Sequence, residues 1–171
     1  HIRDINQQIK LQNRLKQLAY NDPLTGLYKR TYFMSHLKQL LQYHQQTPGS
    51  VVLMFLDLDQ FKKINDNLGH KAGDILLCEV ARRIRSCVRD SDTVARLGGD
   101  EFTVILEDIT SAQYVGRVAE NILSTPALPY MLDNIEVNIS PSIGISLYPA
   151  DGRDVDMLVR NADAAMYYAK G

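Results

Sequence analysis

Residues 97–102, Leu-Gly-Gly-Asp-Glu-Phe, set two carboxylates directly behind two glycines. Adjacent carboxylates suit a hard divalent cation, and glycine lets a backbone lie close to a bulky polar ligand. Strand-like runs lead in over 93–97 and out over 102–106, so the stretch is expected to form a β-hairpin with the acids at its tip. Alone, such a stretch is more often an ordinary Gly-Gly turn with solvated acids. The rest of the chain argues otherwise.

A second acidic motif, Asp57-Leu58-Asp59, closes the unbroken apolar run 51–56, the signature of a strand buried on both faces. If this strand neighbours the hairpin, then Asp57, Asp59, Asp100 and Glu101 converge at one sheet edge. Clustered like charges are costly unless a cation joins them, and phosphoryl-transfer enzymes hold one or two Mg²⁺ ions in such clusters. Lys62 follows closely, where a cation meets phosphate oxygens. Asn65 and Asp74 carry the acceptor–donor and acceptor groups that a guanine edge requires.

The elements that must position these residues follow from periodicity. Residues 1–19 carry Ile2, Ile5, Ile9, Leu11, Leu15 and Leu18 at spacings near three and four, an imperfect heptad. Such a helix either packs on its own domain or ends a longer signalling coiled coil; the Gln-rich composition favours the second. Asp22-Pro23 and Thr25-Gly26 punctuate a loop. A helix is expected over 30–46, the apolar strand from 51, and a short helix and loop over 60–72. Asp74 should then N-cap a helix to about Val88. After the hairpin come a helix over 111–123, a strand through Ile135, Val137 and Ile139, a strand over 142–147 with Gly144 marking close backbone approach, and a helix over 154–169. Interleaved strands and helices predict an α/β (α+β) sandwich: a mixed, mainly antiparallel central sheet covered by helices.

Composition narrows the function classes. The 171 residues are 45% hydrophobic and 23% charged, ordinary for a globular domain with a sizeable core. A net charge of −1 gives no electrostatic case for a nucleic-acid or membrane-surface binder. No apolar run approaches the roughly 18 residues of a membrane-spanning helix, and no signal peptide is visible. Cys78 and Cys87, on one predicted helix, are about 13 Å apart, too far for a disulfide. They read as reduced thiols, consistent with a cytoplasmic location. The four histidines share no metal-ligand spacing. Starting at His1 without Met and stopping at Gly171, the chain reads as a fragment of a larger protein, whose tethering to a membrane is left open.

From about residue 20 to 171 the chain resembles the GGDEF, or diguanylate cyclase, family. The matches are 22–27 (DPLTGL), 55–74 (FLDLDQFKKINDNLGHKAGD), 96–102 (RLGGDEF), 142–146 (SIGIS) and 162–170 (ADAAMYYAK), in order and at family-like spacing. The resemblance implies the fold of a nucleotidyl cyclase or polymerase palm, with residues 1–19 as a linker or coiled-coil helix ahead of the catalytic domain. It implies condensation of two GTP molecules to cyclic di-GMP with Mg²⁺ or Mn²⁺ as cofactor. Asp57, Asp100, Glu101 and the main-chain carbonyl of Leu58 would be the metal ligands, and Asp100, Glu101 and Lys62 the catalytic groups. Asn65, Asp74, Phe61, Lys62, Gly98, Gly99 and Lys170 would bind substrate.

Arg89 and Asp92, as Arg-x-x-Asp ahead of the hairpin, resemble the product-binding inhibitory site. Near the position of the second inhibitory arginine stands Asn121, with Arg117 one turn earlier as the other candidate position. The family continues past the Ala-Lys pair into Gly-Arg-Asn and a terminal strand, which would lie beyond Gly171. One site per domain implies a homodimer, with an upstream sensor domain and a downstream phosphodiesterase domain as further partners. The alternative is a catalytically silent GTP-binding module that regulates a neighbouring phosphodiesterase.

Overall fold

The computed structural model describes residues 2–170, with side chains from residue 4 onward. His1, the Ile2 side chain and Gly171, all used in the sequence reading, lie outside the described residues. The helices are α1 (Ile2–Tyr20), α2 (Arg30–Gln46), α3 (Phe61–Leu68), α4 (His70–Ser86), α5 (Ala112–Ser124) and α6 (Val155–Lys170). The strands are β1 (Val51–Asp59), β2 (Thr93–Gly98), β3 (Glu101–Leu106), β4 (Tyr130–Leu132), β5 (Ile135–Val137) and β6 (Ser140–Tyr148). No helix among the described residues is long and apolar enough to cross a membrane.

The apolar run predicted as a doubly buried strand is β1, at the interior of a sheet ordered β2-β3-β1-β6. Successive side chains of a strand point to opposite faces, and here each face meets its own core. Val52, Met54, Leu56 and Leu58 pack with residues of α3, α4 and α5. Val51, Leu53 and Phe55 pack with Phe33 and Leu37 of α2 and with Leu158, Ala162 and Met166 of α6. Each such side chain contributes about 1.5–3 kcal/mol on full burial, so the strand that ends in Asp57-Leu58-Asp59 is held from both sides. All three pairings within this sheet are antiparallel, and a parallel contact occurs at the isolated bridge between Tyr28 and Ala95. The mainly antiparallel, helix-covered sheet is therefore as expected. Gly144 lets α6 approach β6: a side chain there would collide with the backbone of Ala162 and Met166.

Two elements depart from the sequence reading. Asp74 is not an N-cap. Gly69, with φ of 93°, alone separates α3 from α4, and α4 starts at His70, because nothing in His70-Lys71-Ala72-Gly73 breaks a helix before Asp74. Cys87 consequently caps α4 while Cys78 lies within it, and both are free. The strand expected through Ile139 stops at Val137. It pairs with β4, an element the sequence reading missed, through Asp133 and Asn134, both at positive φ, as a tight two-residue hairpin turn requires.

Helix α1 does not bury an apolar face on the domain. Ile5, Ile9, Leu11, Leu15 and Leu18 are 48–60% exposed. Only its end is tied down. Lys29 Nζ donates to the Leu18 carbonyl at 2.7 Å, and the Thr31 hydroxyl donates to that of Ala19 at 2.9 Å.

Candidate active site

Strand register assembles the acidic site. Asp57 lies opposite Glu101 on β3 and opposite Ser142 on β6. The hairpin tip, Gly99-Asp100, then falls beside the end of β1 and sets the Asp100 carboxyl next to that of Asp57. Burial, and after it the Asp57 carboxylate, push Asp100 up to about 6. From the last turn of α6, Lys170 Nζ donates to Asp57 Oδ2 and stands 3.9 Å from Asp59 Oδ1. The bond to Asp57 raises the Lys170 pKa. Asp57 Oδ1 is buried without a hydrogen-bond partner. Two apposed carboxylates, one with an unpartnered buried oxygen, fit the oxygen-only preference of Mg²⁺ or Mn²⁺.

The expected convergence of four carboxylates does not occur. Asp59 accepts from Ser142 Oγ at 2.8 and 3.0 Å and from Ser140 Oγ at 3.3 Å, while Glu101 is exposed. Among the described residues no three His, Cys, Asp or Glu groups close on one point. The pleat explains this: residues two apart on one strand face are separated by about 6.5–7 Å, and the β6 serines capture the further carboxylate. The side chain of Leu58 is in the core, leaving only its main chain for the cleft.

The tip itself is clamped. Arg96 Nε donates to the Gly99 carbonyl at 2.9 Å, and its Nη1 donates to Asp22 Oδ1 at 3.0 Å. Asp22 also accepts from the Thr25 amide and hydroxyl, at 2.9 and 2.8 Å. Burial alone would raise the Asp22 pKa, but the Thr25 bonds and the Arg96 guanidinium outweigh it and hold the carboxyl below its ordinary value. The 22–27 motif thus latches the loop to the hairpin. Gly98 and Gly99 both take positive φ, 150° and 50°, at the turn.

The other predicted residues lie on α3 and α4. Lys62 is exposed, one turn before Asn65, whereas the Phe61 side chain is in the core, only 9% exposed, leaving its main chain for the cleft. Phe61 opens α3 on its inward face, where the sheet covers it. The Asn65 amide oxygen is buried without a partner and lies directly over Gly73, where a side chain would collide with it. Asp74, Leu24, Cys78, Arg83 and Tyr130 line a cavity of about 680 Å³ between α4 and the β4–β5 hairpin. Asp57 and Lys170 line a separate cleft of about 390 Å³ along α6, together with Arg160, Asp163 and Tyr167. Asp57 and Lys170 thus line one cleft and Asp74 another. A comparably large cavity between α2 and the start of α6 contains none of the predicted residues, so size alone does not locate the site.

Arg89 and Asp92 form a braced turn. The Asp92 side chain is fully buried and accepts from the Arg89 amide at 3.0 Å and from the Tyr114 hydroxyl at 2.6 Å. The Arg89 guanidinium, 41% exposed, lies 4.2 Å over the Tyr114 ring and donates to the Glu107 carbonyl at 2.7 Å. Arg85 donates to the carbonyls of Asp92 and Arg89 at 2.7 and 2.8 Å. Tyr114 and Arg85, like Ser140 and Arg96, escaped sequence reasoning as positioning groups. Nothing in their local pattern reveals partners far along the chain.

The family described as diguanylate cyclase, GGDEF domain, matches residues 19–171. Over 156 residues, 91% of this chain, the sequence is 47% identical to the bifunctional diguanylate cyclase/cyclic di-GMP phosphodiesterase MucR of Pseudomonas aeruginosa; the match spans 23% of that protein. A solved structure comprising only the GGDEF domain of TpbB (YfiN), from the same species, superposes with a TM-score of 0.84 at 43% identity, covering 88% of both chains. The coiled coil and GGDEF domain of DgcB from Caulobacter crescentus, in complex with c-di-GMP, superposes with a TM-score of 0.86 at 26% identity, covering 99% of this chain and 90% of that one.

Proposed function

Because the chain belongs to the GGDEF diguanylate cyclase family, we propose that it condenses two GTP molecules into cyclic di-GMP with release of two pyrophosphates. The observation that carries this reading is the Asp57–Asp100 pair at the hairpin tip, with its buried, unpartnered Asp57 oxygen. Asp57, Asp100 and the Leu58 carbonyl would hold Mg²⁺ or Mn²⁺, with Glu101 opposite Asp57 for a second ion or for the proton. Such an ion supplies neutralisation of phosphate charge and activation of the attacking hydroxyl. Each 3′-hydroxyl attacks the α-phosphorus of the other nucleotide; the bond to the β-phosphate oxygen breaks, and Glu101 takes the hydroxyl proton. Asn65, whose amide oxygen lacks a protein partner, and Asp74 read the guanine. Lys62 and Lys170 bind phosphates, and Gly98 and Gly99 let the hairpin backbone lie against the nucleotide.

One such site per domain requires two domains face to face, hence a homodimer with one GTP each. Residues 1–19 would act as the linker that sets their placement, ahead of a catalytic domain over 20–171. Misplacement by about 1 Å costs on the order of 10²-fold in rate. Arg89, projecting from its braced turn, would engage product phosphate while Asp92 fixes the turn, giving product inhibition. The chain spans about a quarter of MucR, so an upstream sensor and a downstream phosphodiesterase are proposed for the parent protein, in the cytoplasm where GTP is supplied.

Incubation with GTP and Mg²⁺, with products resolved by chromatography, tests the reading. Cyclic di-GMP is expected from the wild type and at least about 10²-fold less from Asp100→Ala. Nucleotide binding without product, even in an enforced dimer, would instead favour the silent regulatory module.

A further inference from the structure

We propose that Lys170 competes with the divalent cation for Asp57, so that cation and nucleotide enter the site cooperatively. This rests on the reading of the site given above and adds to it an order of assembly. The ammonium of Lys170 donates to Asp57 Oδ2 and is 3.9 Å from Asp59 Oδ1. The other Asp57 oxygen is buried. Lys170 thus occupies one oxygen of the carboxylate whose other, unpartnered oxygen would hold the dication. The two positive charges, a carboxylate's width apart, repel, so binding of one weakens binding of the other.

The lysine is free to leave. Its backbone is held by α6, which Ala162 and Met166 anchor in the core, so movement is confined to a flexible four-carbon stem with a compact, rotatable donor head. The cleft lined by Asp57, Arg160 and Tyr167 opens beside it. Phosphate oxygens arriving there offer the ammonium a new set of acceptors and draw it off Asp57, which then accepts the cation. Coupling of this kind is reciprocal: the cation favours nucleotide by the factor by which nucleotide favours the cation. Without nucleotide, the internal cation keeps the acidic site neutralised.

Mn²⁺ binding, read from the spin-resonance signal of the free ion, tests this in wild type, Lys170→Gln, Arg160→Gln and Asp57→Asn, each with and without a non-reactive GTP analogue. Lys170→Gln is expected to bind Mn²⁺ alone on the order of tenfold tighter, and the enhancement produced by the analogue should shrink by a similar factor. Arg160→Gln, which removes a charge from the same cleft without touching Asp57, should change Mn²⁺ affinity by less than about twofold. Unchanged or weaker binding by Lys170→Gln overturns the competition. So does an equal gain in Arg160→Gln, which would make the effect a general field. Asp57→Asn binding Mn²⁺ as well as wild type would overturn the site reading itself, a distinct outcome.

Discussion

At the scale of single residues, the Asp57–Asp100 pair sets function against stability. The ordinary value of Asp100 is 3.8 and its folded value is about 6, so the folded state holds this proton more tightly than the unfolded state. The contribution is favourable below 3.8 and is lost as pH rises through 6. Asp100→Asn in the presence of a chelator should therefore match wild type near pH 4 and exceed it near pH 7.5. The gain should be on the order of 1 kcal/mol after solvent screening, or about 2–4 °C in Tm. Thermal unfolding at both pH values checks this; a pH-independent difference would remove like-charge repulsion as the cause. Asp59 makes the opposite point, since two serine hydroxyls satisfy it away from the pair.

At the scale of elements, the hairpin is useful only where it is held. Arg96 joins its tip to the Asp22 loop through side chains that are 14% and 13% exposed. Arg96→Ala leaves Asp22 without its cation and should cost about 1–3 kcal/mol in urea unfolding at pH 7. Because the Asp22 pKa is depressed, that contribution is present above the unfolded value and lost as pH falls through the folded one, so the gap between variant and wild type should narrow in acid. The Arg89 turn depends similarly on α5. Tyr114→Phe removes a 2.6 Å bond to buried Asp92 and should cost about 1 kcal/mol. It should also weaken product inhibition more than turnover, which initial rates with added cyclic di-GMP would show.

At the scale of the whole molecule, α1 stands apart from the sandwich it precedes. Its apolar side chains are exposed, and it meets the domain at its final turn through Lys29, Thr31 and an edge-on contact of Tyr20 with Tyr32. Removing residues 1–19 should shift Tm by less than about 2 °C, since little apolar area leaves the core. Sedimentation and turnover should both show the loss, through fewer dimers. A large fall in Tm with dimerisation intact would instead make α1 part of the domain's own packing.

The sequence by itself determined the sandwich, β1, the hairpin and the family, because these rest on local signals: period, turn glycines and contiguous motifs. It also placed α2, α5 and α6 to within a residue or two; the structure adds that Ser111 caps α5 by accepting from the Tyr114 amide. Register and side-chain direction belonged to the tertiary structure. The four adjacent-looking acids separate because the pleat and β6 send Asp59 to Ser142, and the Phe61 side chain turns into the core. Lys170 reaches Asp57 from 113 residues away, and Asp92 is buried by Tyr114 from 22 residues away. Such pairings carry no short-range signature, since only the packing of helix on sheet brings their partners together.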